Sequence, residues 1–146
     1  WTKISEIKNN PRMHIPVFGN GDVNSPEKAK TMRDDYGLDG AMIGRGSIGN
    51  PWFFNQVKHY LNTGKKIEEP TIAERAEMAI RHLKMAIDWK GNVLGVLETR
   101  RHYGNYFKGI ANFKETKSRI LRENDPAIIL QELELVKKVF FEKELV

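Results

Sequence analysis

Cysteine does not occur anywhere in this sequence of 146 residues. Its absence excludes a disulfide framework, a thiolate nucleophile, a Cys-ligated zinc and an iron-sulfur cluster inside these boundaries, and leaves any cysteine chemistry upstream. Long apolar runs are also missing. A stretch such as Ala127 to Leu130 is far below the roughly 18 to 20 residues that a membrane-spanning helix needs. The four histidines, His14, His59, His82 and His102, have neither cysteine partners nor HExxH-like spacing, so no metal site is expected. The chain begins at Trp1 rather than Met, and Trp1 to Asn10 lacks the apolar run and cleavage site of a secretory leader. We read it as a piece of a longer protein. What is present, 40% hydrophobic and 29% charged residues, is an ordinary globular composition.

Strong overall charge is lacking too, but the formal +5 is unevenly spread. Arg100, Arg101, Lys108, Lys114, Lys117, Arg119 and Arg122 face the single acid Glu115, so this stretch carries net +6. Glu123 to Val146 turn acidic again. A basic island of this kind suits a polyanionic partner, and equally a solvated helix face.

The first half alternates helix and strand. Thr2 to Lys8 reads as a helix end broken by Asn9-Asn10-Pro11. Ile15 to Phe18, nearly all apolar and closed by Gly19, reads as a strand buried on both faces of a parallel sheet. Ser25-Pro26-Glu27 opens a helix, with Ser as N-cap and Pro in the first turn, that should end near Tyr36-Gly37. Gly40 to Ile43 is a second short strand, and Pro51 to Leu61 a helix stopping at Thr63-Gly64. Residues 65–70 resemble a linker. Thr71 to Glu74 then form a capping box, followed by Ile72, Ala76, Ala79, Ile80, Leu83 and Ile87 at helical spacing. Further helices are expected from about Val93 to Lys108, from Asn112 to Leu121, and after Asp125-Pro126, where Ile129, Leu133, Val136 and Phe140 form one stripe. The fold expected is an α/β segment with two short parallel strands, residues 1–64, followed by an all-α bundle, residues 71–146. Two strands do not make a stable parallel sheet alone, so the first part should belong to a larger sheet.

Each strand ends in a glycine-rich loop, Gly19-Asn20-Gly21-Asp22 and Gly44-Arg45-Gly46. Such loops bring backbone amides close to an anion, and Arg45 offers a charged fork. Singly, each is better explained by turn geometry alone. Two in succession point to phosphate, as in the loops after the last strands of a (β/α)8 barrel, where a short extra helix beginning near Ser47 to Pro51 would fit. Asp34-Asp35 reads as solvated surface. Trp52, Phe53 and Phe54 read as packing, and Met32, Met42, Met78 and Met85 as core.

The segments IPVFGNGDVNSPEKAKTM, GLDGAMIGRGSIGNPWFF, LNTG and ETRRHYGNYFKG together resemble the bacterial tRNA-dihydrouridine synthases, flavoproteins that reduce uridine in tRNA. The pairing of NGD with GRG and then GNPW carries the resemblance most specifically. It implies the C-terminal portion of an FMN-binding (β/α)8 TIM barrel, contributing its last two strands, followed by a helical tRNA-binding domain. It further implies NAD(P)H as reductant, a cytoplasmic location, and the rest of the barrel as a partner, with self-association through exposed strand edges as an alternative for the isolated piece. Other FMN-binding barrel oxidoreductases and a non-enzymatic helical RNA-binding module are the competing readings.

Under this resemblance Asn20, Gly21 and Asp22 form one flavin-contacting segment, and Gly44 and Arg45 the other. Amides near Gly21 and Gly44 and the Arg45 guanidinium would face the phosphate. Asn20 would bond the phosphate or a ribityl hydroxyl. Asp22 is open between a ribityl hydroxyl, a salt bridge to Arg45 and a helix cap. The catalytic acid of the family is a cysteine earlier in the barrel, so no catalytic residue is assigned here and the chain alone should not turn over. On the basic helix, Val96, Tyr103, Phe107 and Ile110 share one face, with Arg100 at its edge as a structural arginine. Arg101, Asn105 and Lys108 lie nearly opposite, and His102 and Tyr106 flank the apolar stripe. Arg101, His102, Asn105, Tyr106 and Lys108 are the candidate tRNA contacts.

Overall fold

The computed structural model describes the backbone of residues 1–144 and the side chains of residues 1–140. The chain divides into two compact units, Trp1–Glu68 and Glu69–Val146. In chain order the first holds α1 (Thr2–Lys8), β1 (Phe18–Asn20), α2 (Pro26–Asp34), β2 (Gly40–Met42), a 3-10 turn (Arg45–Ser47) and α3 (Phe53–Thr63). The second holds α4 (Ile72–Tyr106), α5 (Lys114–Arg122) and α6 (Pro126–Glu144).

In the first unit β1 and β2 pair in parallel, with Phe18 opposite Gly40, Gly19 opposite Ala41 and Asn20 opposite Met42. β1 therefore starts later than Ile15, and two contacts of the chain before it explain why. Pro16 has no amide to give to a ladder, and Val17 is already tied to Asp39. The Val17 amide donates to the Asp39 carboxylate at 2.7 Å, and the Asp39 amide donates to the Val17 carbonyl at 3.0 Å. Burial on both faces is not found either. Gly19 is covered, because α2 and the turn after it lie so close that a Cβ there would stand 2.4 Å from Leu38 and 2.8 Å from Met32. On the other face Phe18 is 64% exposed, and Ile15, ahead of the strand, is 69% exposed.

Ser25 caps α2 by accepting from the Lys28 amide at 3.3 Å, and Pro26 occupies its first turn. The core beneath the sheet joins Val23, Ala29, Met32, Leu38, Phe53 and Val57. Trp1 and Ile4 of the N-terminal segment pack against it, which holds α1 in place. Phe53 thus packs as expected, whereas Met42, 59% exposed, is not core.

The second unit opens on the capping box foreseen at Thr71. The Thr71 amide donates to the Glu74 carboxylate at 2.8 Å, and the Glu74 amide donates to Thr71 Oγ1 at 3.2 Å. α4 is interrupted at Gly91, whose φ of 77° and ψ of 171° are not helical. That region of backbone space is essentially confined to glycine. It reverses the chain, so that the arms 72–90 and 92–106 run back along each other. Gly95 lets them touch, since a Cβ there would lie 2.8 Å from the Ile87 amide nitrogen. The core includes Ala76, Ala79, Ile80 and Leu83 from the first arm, Val96 and Tyr103 from the second, and Ile120, Ile129, Leu133 and Val136 from α5 and α6. Met85, assigned to the core by its spacing, is 60% exposed. No helix among the described residues is long and apolar enough to cross a membrane.

Candidate cofactor and nucleic-acid sites

Parallel pairing brings the ends of β1 and β2 side by side, and with them the two glycine-rich loops. Asn20, Gly21, Asp22, Gly44 and Arg45 all line one open cleft of about 710 Å³. Past β1 the backbone turns through left-handed conformations, with φ of 135° at Gly21 and 48° at Asp22. The Trp1 indole fixes this turn by donating from Nε1 to the Gly21 carbonyl at 3.0 Å. Asp22, left open between three roles by the sequence, is ion-paired to Arg45 across the cleft. Both side chains stay largely in solvent.

The second loop is pressed against the first. A Cβ on Gly46 would lie 2.6 Å from the Val23 carbonyl oxygen, so nothing larger than glycine passes there without displacing backbone. At Gly44, in contrast, a Cβ would meet no atom within 4 Å, leaving the cleft open beside Arg45. The helical turn expected at Ser47 to Pro51 is instead the 3-10 turn Arg45–Ser47, in which the Ser47 amide and hydroxyl both donate to the Gly44 carbonyl, at 3.1 and 2.9 Å. Gly49, with φ of 64°, stops it from continuing. Val23, Asn24 and Met42 line the cleft too, and were not singled out by the sequence as site residues. Lys28 was overlooked as well, and its amine donates to the Asp22 carbonyl at 3.3 Å. Its place in the first turn after the NGD loop was the available signal.

In the second unit the basic stretch separates into structural and exposed cations. Arg100 donates to the Asn124 side-chain oxygen at 2.6 Å and also to the Glu123 carbonyl, fastening the end of α5. Arg101, Asn105 and Lys108 lie on the exposed side, and His102 is half-buried. Tyr106 does not flank the stripe at the surface. It is 2% exposed, because the hairpin turns it against the first arm, where its hydroxyl stands 3.3 Å from His82 Nδ1. Burial pushes its phenol up to about 12.

His82 and His102 meet across the hairpin with ring centroids 4.5 Å apart. Burial, then His82 and Arg101, hold the His102 imidazole down to about 4, and burial followed by Arg101 also lowers His82. Both rings are therefore neutral at pH 7. Arg101 Nε donates to His102 Nε2 at 3.4 Å, which leaves the His102 proton on Nδ1. Among the described residues, no three or more His, Asp or Glu side chains come together as a metal site.

Comparison with known proteins bears on both units at once. A family model described as dihydrouridine synthase (Dus) matches residues 1–141. A probable tRNA-dihydrouridine synthase of Rickettsia conorii is 35% identical over 91% of this chain and 40% of its own length. The tRNA-dihydrouridine synthase B of Shewanella oneidensis is 43% identical over 73% of this chain and 32% of its own length. The corresponding protein of Pseudomonas putida is 40% identical over 72% of this chain and 31% of its own. The chain thus spans about two fifths or less of the length of these relatives. Since the match runs from the first residue through both glycine loops and the basic hairpin nearly to the end, the chain belongs to the dihydrouridine synthase family.

Proposed function

We infer that this chain is the C-terminal part of an FMN-dependent tRNA-dihydrouridine synthase, with residues 1–64 completing a (β/α)8 barrel, 65–70 as linker and 71–146 binding tRNA. The observation that carries the reading is the single cleft shared by Asn20, Gly21, Asp22, Gly44 and Arg45. The cleft suits a phosphate monoester such as that of FMN. Gly44 leaves it open, Arg45 supplies a guanidinium fork, and the left-handed turn at Gly21 and Asp22 presents backbone rather than side chain. Asp22 holds the Arg45 guanidinium in place, and Asn20 offers an amide to the phosphate or a ribityl hydroxyl. When bound, the flavin supplies the hydride that reduces the uracil ring, with NAD(P)H as the source of electrons. The protein's own task here is to anchor the phosphate end and, through Arg101, His102, Asn105 and Lys108, to hold RNA. Tyr106 serves that face from behind, as support for His82. The proton donor belongs upstream, since the chain has no cysteine, and a tRNA substrate places the enzyme in the cytoplasm.

Flavin and product measurements test the reading. A full-length enzyme carrying this segment should purify yellow and form dihydrouridine in tRNA. The 146-residue chain should form none and bind FMN feebly at best. Stoichiometric flavin on the isolated chain would overturn the half-site assignment, and a flavin-free full-length protein would favour a pure RNA-binding module.

A further inference from the structure

Between the arms of α4 lies a groove of about 440 Å³ lined by Met85, Trp89, His82, His102, Arg101 and Glu98, among others. Its size falls within the roughly 300 to 1,000 Å³ of small-molecule sites. Trp89 is the anomaly. It is 80% exposed, which an indole that serves only packing would not be. It is also held in place. Lys90 Nζ stands 4.4 Å from the ring centroid and is itself ion-paired to Glu98 of the opposite arm, so the ring is steadied by a cation while most of its surface faces solvent.

The remaining lining sets polar side chains into a largely apolar groove. Two neutral imidazoles meet edge to face. His82 Nδ1 faces the Tyr106 hydroxyl and His102 Nε2 accepts from Arg101, so the pair is held as a fixed polar edge of the groove, suited to the polar edge of a base. An exposed guanidinium borders them at Arg101. A fixed, exposed aromatic ring beside mixed hydrogen-bonding groups and a cation is the combination that receives a splayed-out base in single-stranded RNA. A paired helix, with its bases stacked inside, has nothing to insert.

We propose that the groove at the α4 hairpin receives one unstacked nucleobase of the RNA ligand, stacked on Trp89 with its edge toward His82 and His102, while Arg101 takes an adjacent phosphate. This rests on the RNA-binding reading above and deepens it, since it assigns a base-contacting function to Trp89 and His82, which lie outside the basic stretch. A protein surface is the competing occupant.

The test measures binding of a full-length enzyme carrying this segment to tRNA, to an unstructured RNA oligonucleotide and to a fully paired RNA duplex, across a salt series. Trp89→Ala should weaken tRNA and oligonucleotide binding roughly five- to a hundredfold, without altering the salt slope, because stacking releases no counterions. Trp89→Phe should retain most of the affinity. Duplex binding should be weaker and indifferent to either change. Circular dichroism of the variants separates loss of the ring from loss of the hairpin, and Trp89→Phe carries the test if Trp89→Ala unfolds. Wild-type affinity for tRNA and oligonucleotide in Trp89→Ala would overturn the base site alone and leave the groove to a protein partner. No tRNA binding by the wild-type full-length enzyme would overturn the RNA reading itself.

Discussion

The Asp22 carboxylate and the Arg45 guanidinium close on each other across the cleft between the two glycine-rich loops. The carboxylate comes from a residue with φ of 48°, so the turn that exposes the backbone also aims the group that orients the arginine. A carboxylate beside a phosphate site would ordinarily repel the ligand. In the site proposed above, carboxylate and phosphate would share one cation, Arg45.

For that pair, two substitutions should separate ligand binding from stability. In a full-length enzyme, Arg45→Ala should weaken FMN roughly ten- to a hundredfold, the range for loss of a charge-assisted phosphate contact. Excess FMN should restore activity. Asp22→Asn should leave the melting temperature nearly unchanged, because the pair is exposed. Flavin fluorescence titration reads the first and a thermal melt the second, and undiminished affinity in Arg45→Ala would remove the phosphate from this arginine.

Asp39 should make the first unit acid-sensitive. The Lys8 amine, then the Val17 amide, hold its carboxyl below the usual range. A carboxyl lowered in the folded state contributes stability that is present above its unfolded pKa and is lost as pH falls through the folded one. Thermal melts should show a steeper fall below about pH 4 in the wild-type chain than in Asp39→Asn. Asp39→Ala, which abandons the Val17 amide as well, should be less stable than Asp39→Asn at pH 7. Superimposable pH profiles for wild type and Asp39→Asn would refute this.

Arg100 and Arg101 are neighbours with opposite fates. Arg100→Ala removes the fastening on Glu123 and Asn124 and should lower the melting temperature. Arg101→Ala combined with Lys108→Ala should leave melting nearly unchanged, weaken tRNA binding, and flatten log K against log salt by about 0.7 to 0.9 per lost phosphate contact. Unchanged salt dependence in the double variant would move RNA off this face.

Tyr103 is fully buried, and neither its hydroxyl nor the nearby Arg100 Nε has a hydrogen-bond partner among the described residues. Removing an unsatisfied buried hydroxyl is neutral or stabilising. Tyr103→Phe should therefore keep or raise the melting temperature, as calorimetry would show. A clear decrease would mean that the hydroxyl is bonded in solution.

Features governed by a few neighbouring residues were legible in the sequence. The Ser25 cap, the Thr71 and Glu74 box and the Ile129, Leu133, Val136 stripe all follow from local chemistry. That the two loops meet was legible as well, since glycine-rich ends of neighbouring parallel strands fall side by side. Long-range features were not. The start of β1 is decided by Asp39, 22 positions further on, and no apolar pattern reveals that. Tyr106 looked like a surface residue on a single-helix wheel, but its environment is set by the arm carrying His82. Met42 and Met85 have core-like spacing, yet each lines a cleft. Periodicity separates sides of an element and does not say which side finds a partner.

The open face of the two-stranded sheet has a practical consequence. Phe18 lies across Gly40, within 2.6 Å of where a Cβ would stand, and Met42 follows on the same face, so apolar side chains sit beside two unpaired strand edges. Handled alone, the chain should reach its solubility limit before its stability limit. Dilute samples and moderate salt, with light scattering alongside every titration, are the conditions under which a weakened ligand affinity can be told from a loss of monomer.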